Sequence, residues 1–176
     1  MRNPEHETSK SLSTLPVGAN SKLIIVKIES SNENDAKTAI STLESKYGIN
    51  TLDVVIANAG MARLASTTEV KTADFLEHIN VNTVGPLLLF QAAHDALRRS
   101  KNPRFVITGT VLGSVTSAVG FSWPVVSYGA SKAAAQFIIR KIHGEHEWLT
   151  AVAIHPGYVY DSLISPFLLE YGGVTY

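Results

Sequence analysis

The sequence contains no cysteine, little charge and no long apolar run. The absence of cysteine among 176 residues excludes disulfides, a thiolate nucleophile and Cys-ligated metal sites. Only 17% of the residues are charged, and fifteen basic residues balance fifteen acidic ones, which argues against a nucleic-acid or acidic-membrane partner. No apolar run reaches the length of a signal peptide core or a membrane span. These absences predict a cytoplasmic protein that binds neither nucleic acid nor membrane.

Apolar stretches alternate with helical periodicity from Leu23 onwards. The predicted strands are Leu23–Ile28, Leu52–Ala57, Arg104–Thr108 and Leu149–Ile154. The predicted helices lie within Ser30–Gly48, Ala73–Arg99 and Ser127–His143. Strands separated by helices indicate βαβ units, and therefore an α/β fold with a parallel sheet. Residues 1–22 are polar and without a sustained period, and they form a separate N-terminal segment, predicted as loop, ahead of the domain at 23–176.

Ligands of open parallel sheets bind beyond the carboxyl ends of the strands, so the residues at those positions are candidates for a site. Glu29 follows the first predicted strand, Asn58-Ala-Gly60 the second, Gly109-Thr110 the third and Pro156-Gly157 the fourth. All of them are small, polar or turn-forming.

The stretch Tyr128-Gly-Ala-Ser-Lys132 carries the strongest chemical signal. Its Tyr and Lys stand four residues apart and share one helix face. A neighbouring ammonium lowers the pKa of a phenol by favouring the phenolate, and a phenol tuned in this way can exchange a proton with a carbonyl or alcohol. The alternative is an ordinary exposed Tyr/Lys pair.

Pro86 lies inside the longest predicted helix. Because proline has no N–H, the carbonyl of Asn82, four residues earlier, loses its intrahelical partner and is free to bind water. The alternative is a plain proline kink.

With these motifs in this order, the sequence resembles the short-chain dehydrogenase/reductase family between Leu23 and Asp161. The resemblance rests on four stretches: Asn58-Ala-Gly60, Asn82-Thr-Val-Gly85, Tyr128 with Lys132, and Pro156-Gly-Tyr-Val159. The stretches FVITGTVLGSV and AVAIHPGYV are most similar to the fungal branch that includes norsolorinic-acid-type ketoreductases and C-factor-like proteins. The implied fold is a Rossmann-like, doubly wound parallel sheet.

The resemblance implies a role for each matching residue. The implied catalytic residues are Tyr128 as proton donor and acceptor, Lys132 as its pKa-lowering neighbour, Asn82 as the holder of a water in the proton path, and Thr110 as a hydroxyl donor to the substrate carbonyl. The implied cofactor contacts are Glu29 at the adenine amino group and Lys132 at the nicotinamide ribose, together with Asn58, Tyr128 and Val159. Arg2 resembles the family's contact to a 2′-phosphate, which favours NADP(H) and leaves NAD(H) open.

The sequence departs from the family at three places. Thr110 stands where the family has Ser, and Asp161 where it often has Thr. The glycine-rich TGxxxGxG turn, whose helix N-terminus receives the pyrophosphate, is missing. We therefore expect an incomplete domain that starts after the family's first βαβ unit. In such a domain, Leu23–Ile28 is expected to pair with Leu52–Ala57 in a four-stranded sheet, because an orphan strand would leave an exposed edge.

Two functions remain open. The first is an NAD(P)(H)-dependent carbonyl reductase or alcohol dehydrogenase acting on a small molecule. The segment Phe121–Pro124 either lines the substrate side, which favours an aromatic substrate, or packs on the core. The second is a truncated non-redox relative, either a binding protein or a proton-transfer catalyst.

We predict no metal site, since His143 and His146 are typical of a solvated helix end. The resemblance also allows a homo-oligomer, built on the long helices that flank Thr110.

Overall fold

The computed structural model describes residues 2–157 of the chain. Its α-helices are α1 (Glu7–Lys10), α2 (Asp35–Tyr47), α3 (Thr72–Ile79), α4 (Gly85–Arg98) and α5 (Val126–Glu145). Its strands are β1 (Val54–Ala57), β2 (Arg104–Thr108) and β3 (Thr150–Ile154). Short 3₁₀ turns occupy Ser11–Thr14, Val111–Gly113 and Ala118–Gly120, and a π-helical turn occupies Asn80–Val84.

Within the described residues, the three strands form one parallel sheet in the order β1-β2-β3. Val55 pairs with Phe105, and Phe105 pairs in turn with Ala151. The α/β architecture with a parallel sheet is therefore confirmed. β2 has the predicted bounds, whereas β1 and β3 begin two residues and one residue later than predicted.

The first predicted strand, Leu23–Ile28, is wrong. Leu23–Ile28 has no regular secondary structure and does not pair with β1. Side chains at the start of α2 hold the end of this segment instead: the Glu29 N–H donates to Asp35 Oδ2 over 3.0 Å, and Lys27 Nζ lies 3.4 Å from the same oxygen. A cleft separates Ile28 and Glu29 from β1. Leu23 is 47% exposed, and Ile24, Ile25, Val26 and Ile28 are half-buried. An apolar pattern alone does not produce a strand, because strand pairing depends on a tertiary partner.

Two helical regions also differ from the prediction. The polar N-terminal segment contains α1 and the 3₁₀ turn after it. The long region predicted at Ala73–Arg99 is helical throughout, but it passes through the π turn, in which the Gly85 N–H donates to the Asn80 carbonyl. This turn lies immediately before Pro86, where an α-helical hydrogen bond cannot form.

One face of the sheet forms the core. Its inward side chains pack against apolar residues of α4 and α5, and this cluster includes Val55, Ala57, Phe90, Ala93, Leu97, Phe105, Ile107, Ala135, Ile139, Ile142 and Ala151. Strand alternation places the remaining side chains on the opposite face. Val54, Ile56, Val152 and Ile154 on that face are 39–59% exposed. The described part of the chain therefore covers only one face of its sheet.

Phe105 provides a test of this core. Its side chain is fully buried in the central strand, and its ring packs edge-on against Phe90 with the centroids 5.3 Å apart. We expect Phe105→Ala to lower the free energy of unfolding by about 3–5 kcal/mol, because it leaves a cavity that the surrounding side chains cannot fill. Urea unfolding measures the change, with the exposed Val119→Ala as control. A loss below about 1 kcal/mol for Phe105→Ala would contradict the assigned core.

Candidate active site

The candidate site lies where β1 and β2 end and α5 begins. Asn58 follows β1, Thr110 lies two residues after β2, and Tyr128 and Lys132 occupy the first turns of α5. The two α5 side chains share a face as predicted, with Lys132 Nζ 5.8 Å from the centroid of the Tyr128 ring. The structure thus brings Tyr128 and Lys132 to the carboxyl end of the sheet.

Lys132 is buried in this site, with only 6% of the residue exposed. Its Nζ donates to the Thr108 carbonyl over 2.8 Å. Burial lowers the pKa of the Lys132 ammonium, because the charged form loses hydration. Gly60 lies close by: a Cβ on it would stand 3.6 Å from Lys132 Nζ and 3.3 Å from Asn82 Oδ1. A glycine therefore lets the loop after β1 approach the ammonium.

Asn82 fastens that loop to α5. Its residue is 1% exposed, and its side chain makes three hydrogen bonds of 2.9 Å. Oδ1 accepts from the Met61 N–H, while Nδ2 donates to the Met61 carbonyl and to Ser131 Oγ. Ser131 Oγ donates onward to the Tyr128 carbonyl over 2.7 Å. Asn82 thus lies next to the acid–base pair, and the water at its backbone carbonyl stays a prediction.

Thr110 caps the 3₁₀ turn at Val111–Gly113. Its Oγ1 accepts from the Leu112 N–H over 3.2 Å, and its carbonyl accepts from Gln136 Nε2 over 3.3 Å. This turn packs closely on α5 at Gly129, which has no side chain. A Cβ at this position would stand only 2.9 Å from the Leu112 carbonyl oxygen. The hydroxyl of Thr110 is therefore held beside the helix that carries Tyr128.

A cleft of about 350 Å³ separates the segment around Glu29 from β1. Its lining includes Arg2, Glu29, Asn58 and Gly60, and its volume lies in the usual range of small-molecule sites. Arg2 Nε and Glu29 Oε2 form a 2.6 Å ion pair across part of this lining. The two residues predicted for the adenosine end of a cofactor are therefore adjacent, and both border the same cleft as Asn58.

A second cavity of about 310 Å³ adjoins the start of α5. Its lining is almost entirely apolar and consists of Leu112, Gly113, Ser114, Val115, Ala118, Phe121, Trp123, Val125, Val126, Gly129, Ala130 and Ala133. The backbone of its aromatic segment is anchored by the Ala65 N–H, which donates to the Pro124 carbonyl over 2.7 Å. In sequence, Thr110 precedes these lining residues, and Tyr128 lies among them, between Val126 and Gly129.

Some predicted positions lie elsewhere. Val159 and Asp161 fall outside the described residues. His146 packs against the rings of Phe90, His94 and Trp148, so it belongs to an aromatic cluster. In residues 2–157, no three metal-ligating side chains come together. The helices of the same stretch include none with the length and apolar character needed to cross a membrane.

Three residues that support the site were not predicted from the sequence. Thr108 accepts from Lys132 through its carbonyl, and its Oγ1 donates to Asn58 Oδ1 over 2.7 Å. Ser131 connects Asn82 to Tyr128. His78 is fully buried, and its Nε2 accepts from the Arg63 N–H while its Nδ1 donates to the Asp74 carbonyl. Of these three, only His78 could have been proposed from the sequence, because it stands one helical turn before Asn82 and so on the same side of the predicted helix.

The chain belongs to the short-chain dehydrogenase family, because the family model, described as short chain dehydrogenase, matches residues 2–166. The chain is 41% identical over 151 residues to the norsolorinic acid ketoreductase of Aspergillus parasiticus, an alignment that covers 84% of this chain and 56% of that protein. It is 38% identical over 154 residues to the norsolorinic acid ketoreductase stcE of Emericella nidulans, covering 86% and 59%. The predicted family and its fungal ketoreductase-like branch are confirmed. The chain spans less than three-fifths of the length of these relatives.

Solved structures show the same fold. The NADPH-bound carbonyl reductase from chicken fatty liver matches with a TM-score of 0.80 and 24% identity, over 91% of this chain and 70% of that one. The carbonyl reductase Sniffer of Drosophila melanogaster matches with a TM-score of 0.81 and 21% identity, over 93% and 69%. The Rossmann-like fold class is therefore confirmed.

The Asn82 framework provides a stability test. The substitution Asn82→Asp replaces the amide by a carboxylate of nearly the same shape. The two hydrogen bonds donated by Nδ2 are lost, and a carboxylate oxygen then faces the Met61 carbonyl oxygen. We expect the free energy of unfolding to fall by about 2–4 kcal/mol, because a buried charge and unpaired polar groups remain. Asn80→Asp, on the exposed side of the same π turn, is the matched control. Equal urea midpoints for the two variants would contradict the framework.

The buried ammonium provides a test by pH. Since the pKa of Lys132 in the folded chain lies below its ordinary value of 10.5, the folded state carries a desolvation cost while the lysine is charged. We expect Lys132→Met to be at least as stable as the wild type at neutral pH. The difference should shrink as the pH rises toward 10.5, because the folded lysine loses its proton first and the wild type gains stability.

The control for this experiment is Lys141→Met on the same helix, where the lysine is exposed and pairs with Glu145. Urea unfolding at a series of pH values measures both variants. A Lys132→Met protein that is less stable than the wild type by the same amount at every pH would show that burial does not penalise the ammonium.

Proposed function

We propose that this chain carries the acid–base site and part of the cofactor site of an NADP(H)-dependent carbonyl reductase. The observation that carries the proposal is the position of Tyr128 over a buried Lys132. Both belong to one framework, which Asn82 and Ser131 tie to the loop after β1. A rigid, partly dehydrated Tyr/Lys pair suits proton exchange better than an exposed pair does, since its geometry is set before the substrate binds.

In the proposed reaction, Tyr128 gives its phenolic proton to the oxygen of the substrate carbonyl. The Lys132 ammonium favours the phenolate that remains, because the two groups are adjacent and water is largely excluded. The Thr110 hydroxyl, held beside α5, donates a hydrogen bond to the same carbonyl oxygen. A nicotinamide, when bound, supplies the hydride that reduces the carbonyl carbon to an alcohol. In the oxidising direction Tyr128 accepts the proton.

The residues that border the cleft suit a dinucleotide. Asn58 and Glu29 line the cleft, where Asn58 would hold the middle of the cofactor and Glu29 its adenine amino group. Lys132, which stands at the start of α5 and not in the lining of the cleft, would hold the nicotinamide ribose. Arg2 would meet a 2′-phosphate after exchanging its ion pair with Glu29, which favours NADP(H) over NAD(H). Val159 is proposed as a further contact on the family resemblance. The 176 residues include no glycine-rich turn for the pyrophosphate, so we expect weak binding by this chain.

The substrate side is proposed to be the apolar cavity next to α5. Phe121 and Trp123 line it, and aromatic walls favour a flat or aromatic ketone. The similarity to proteins named norsolorinic acid ketoreductase supports a ketone as the reacting group.

A second candidate is a non-redox protein that uses the Tyr128 and Lys132 pair for proton transfer or only binds a ligand. One observation favours it: Arg2 and Glu29 form an ion pair directly with each other in the cleft. The two candidates differ in whether NADPH is consumed.

NADPH titration and turnover decide between them. We expect the purified chain to bind NADPH with a Kd weaker than about 10 µM, followed by NADPH fluorescence, since the pyrophosphate lacks its usual donors. At saturating NADPH and with an aromatic ketone, we expect turnover that Tyr128→Phe lowers by about 10²–10⁴-fold while the Kd for NADPH changes little.

Tyr47→Phe, at the end of α2, is the matched control and should retain full turnover. A parallel titration with NADH tests the predicted preference for NADP(H). Sub-micromolar NADPH binding would overturn the expected weakness. No binding and no NADPH oxidation at millimolar cofactor would reject the reductase in favour of the second candidate.

A further inference from the structure

Thr108 connects two elements of the candidate site. It is the last residue of β2, the central strand, where it pairs with Ile154 of β3. Its hydroxyl donates to Asn58 Oδ1 over 2.7 Å, and its carbonyl accepts from Lys132 Nζ over 2.8 Å. Thr108 thus hydrogen-bonds to both of these side chains, which come from different elements.

The hydroxyl contact removes a freedom that Asn58 would otherwise have. The terminal torsion of an asparagine is broad, so an amide at a strand end can exchange its oxygen and nitrogen positions at little cost. A hydroxyl can donate to an amide oxygen or accept from an amide nitrogen, and here, on a strand that is hydrogen-bonded on both sides, it donates to the amide oxygen. The amide nitrogen is then the group that remains for a ligand in the cleft beside Asn58.

We propose that Thr108 is a positioning residue, whose hydroxyl fixes the orientation of the Asn58 amide so that its NH₂ group is presented to the ligand of the cleft. The proposal rests on the proposed function, in which that ligand is a nicotinamide dinucleotide. The Thr108 carbonyl also holds Lys132 Nζ by a hydrogen bond. The contacts to Asn58 and to Lys132 can be tested separately, because a substitution of the Thr108 side chain removes the hydroxyl and leaves the backbone carbonyl.

Thr108→Val is the test variant, since it keeps the shape and the carbonyl and removes only the hydroxyl. Thr108→Ser restores the hydroxyl, and Thr150→Val makes the same change at the opposite end of the sheet. The first readout is the side-chain amide resonance of Asn58 in the ¹⁵N-labelled free chain, identified by its loss in Asn58→Ala. The same spectra report whether each variant is folded.

The second readout is the Kd for NADPH, from chemical-shift titration to millimolar concentrations. We expect Thr108→Val to shift the Asn58 resonance and raise the Kd about three- to tenfold, the size of one neutral hydrogen bond. Thr108→Ser and Thr150→Val should match the wild type in both readouts. In an Asn58→Ala background, Thr108→Val should change the Kd less than about twofold, because the effect acts through Asn58.

The outcomes separate the two claims. An Asn58 resonance that does not move in Thr108→Val overturns the positioning role, whether or not NADPH binds. Unchanged NADPH affinity in a Thr108→Val chain whose wild type binds also overturns it and leaves the proposed function standing. A wild type that shows no binding at millimolar NADPH rejects the proposed function, and the role of Thr108 toward a dinucleotide falls with it.

Discussion

The candidate site depends on the hydrogen bonding of one buried amide. Asn82 lies in the π turn between α3 and α4, and its side chain satisfies both backbone groups of Met61 as well as the hydroxyl of Ser131. Because an unpaired amide in this position would cost several hydrogen bonds, the loop after β1, the π turn and α5 have one favourable arrangement. Lys132 and Tyr128 stand on the helix that this network fixes.

The network also explains why the surrounding positions are small. Gly60 has no Cβ to meet the Asn82 amide and the Lys132 ammonium, and Gly129 has none to meet the carbonyl of Leu112. Lys132 is buried among these elements, and the loss of water around its ammonium is the physical cause of its lowered pKa. The chemistry proposed for the site therefore follows from packing as much as from the identity of its polar side chains.

Sequence reasoning reached the parts of this arrangement that local pattern determines. The parallel α/β order follows from alternating periodicities, and the shared face of Tyr128 and Lys132 follows from a spacing of four. The supporting contacts of Thr108 were not predictable, because they join residues 24 to 50 positions apart. Leu23–Ile28 shows the opposite failure. Its apolar pattern predicts a strand, but a strand needs a hydrogen-bonding neighbour, and the described chain offers it a cleft and the side chains of α2 instead.

The central claim is that this framework supports reduction of a carbonyl rather than proton transfer alone. The most direct test is a reaction with NADPH that carries deuterium at C4 on the transferring face, followed by mass spectrometry of the product. The account predicts one deuterium on the carbinol carbon of the alcohol, and the same labelled alcohol formed about 10²–10⁴-fold more slowly when Tyr128 is replaced by phenylalanine. Product formed without deuterium, or formed equally well without NADPH, would contradict it.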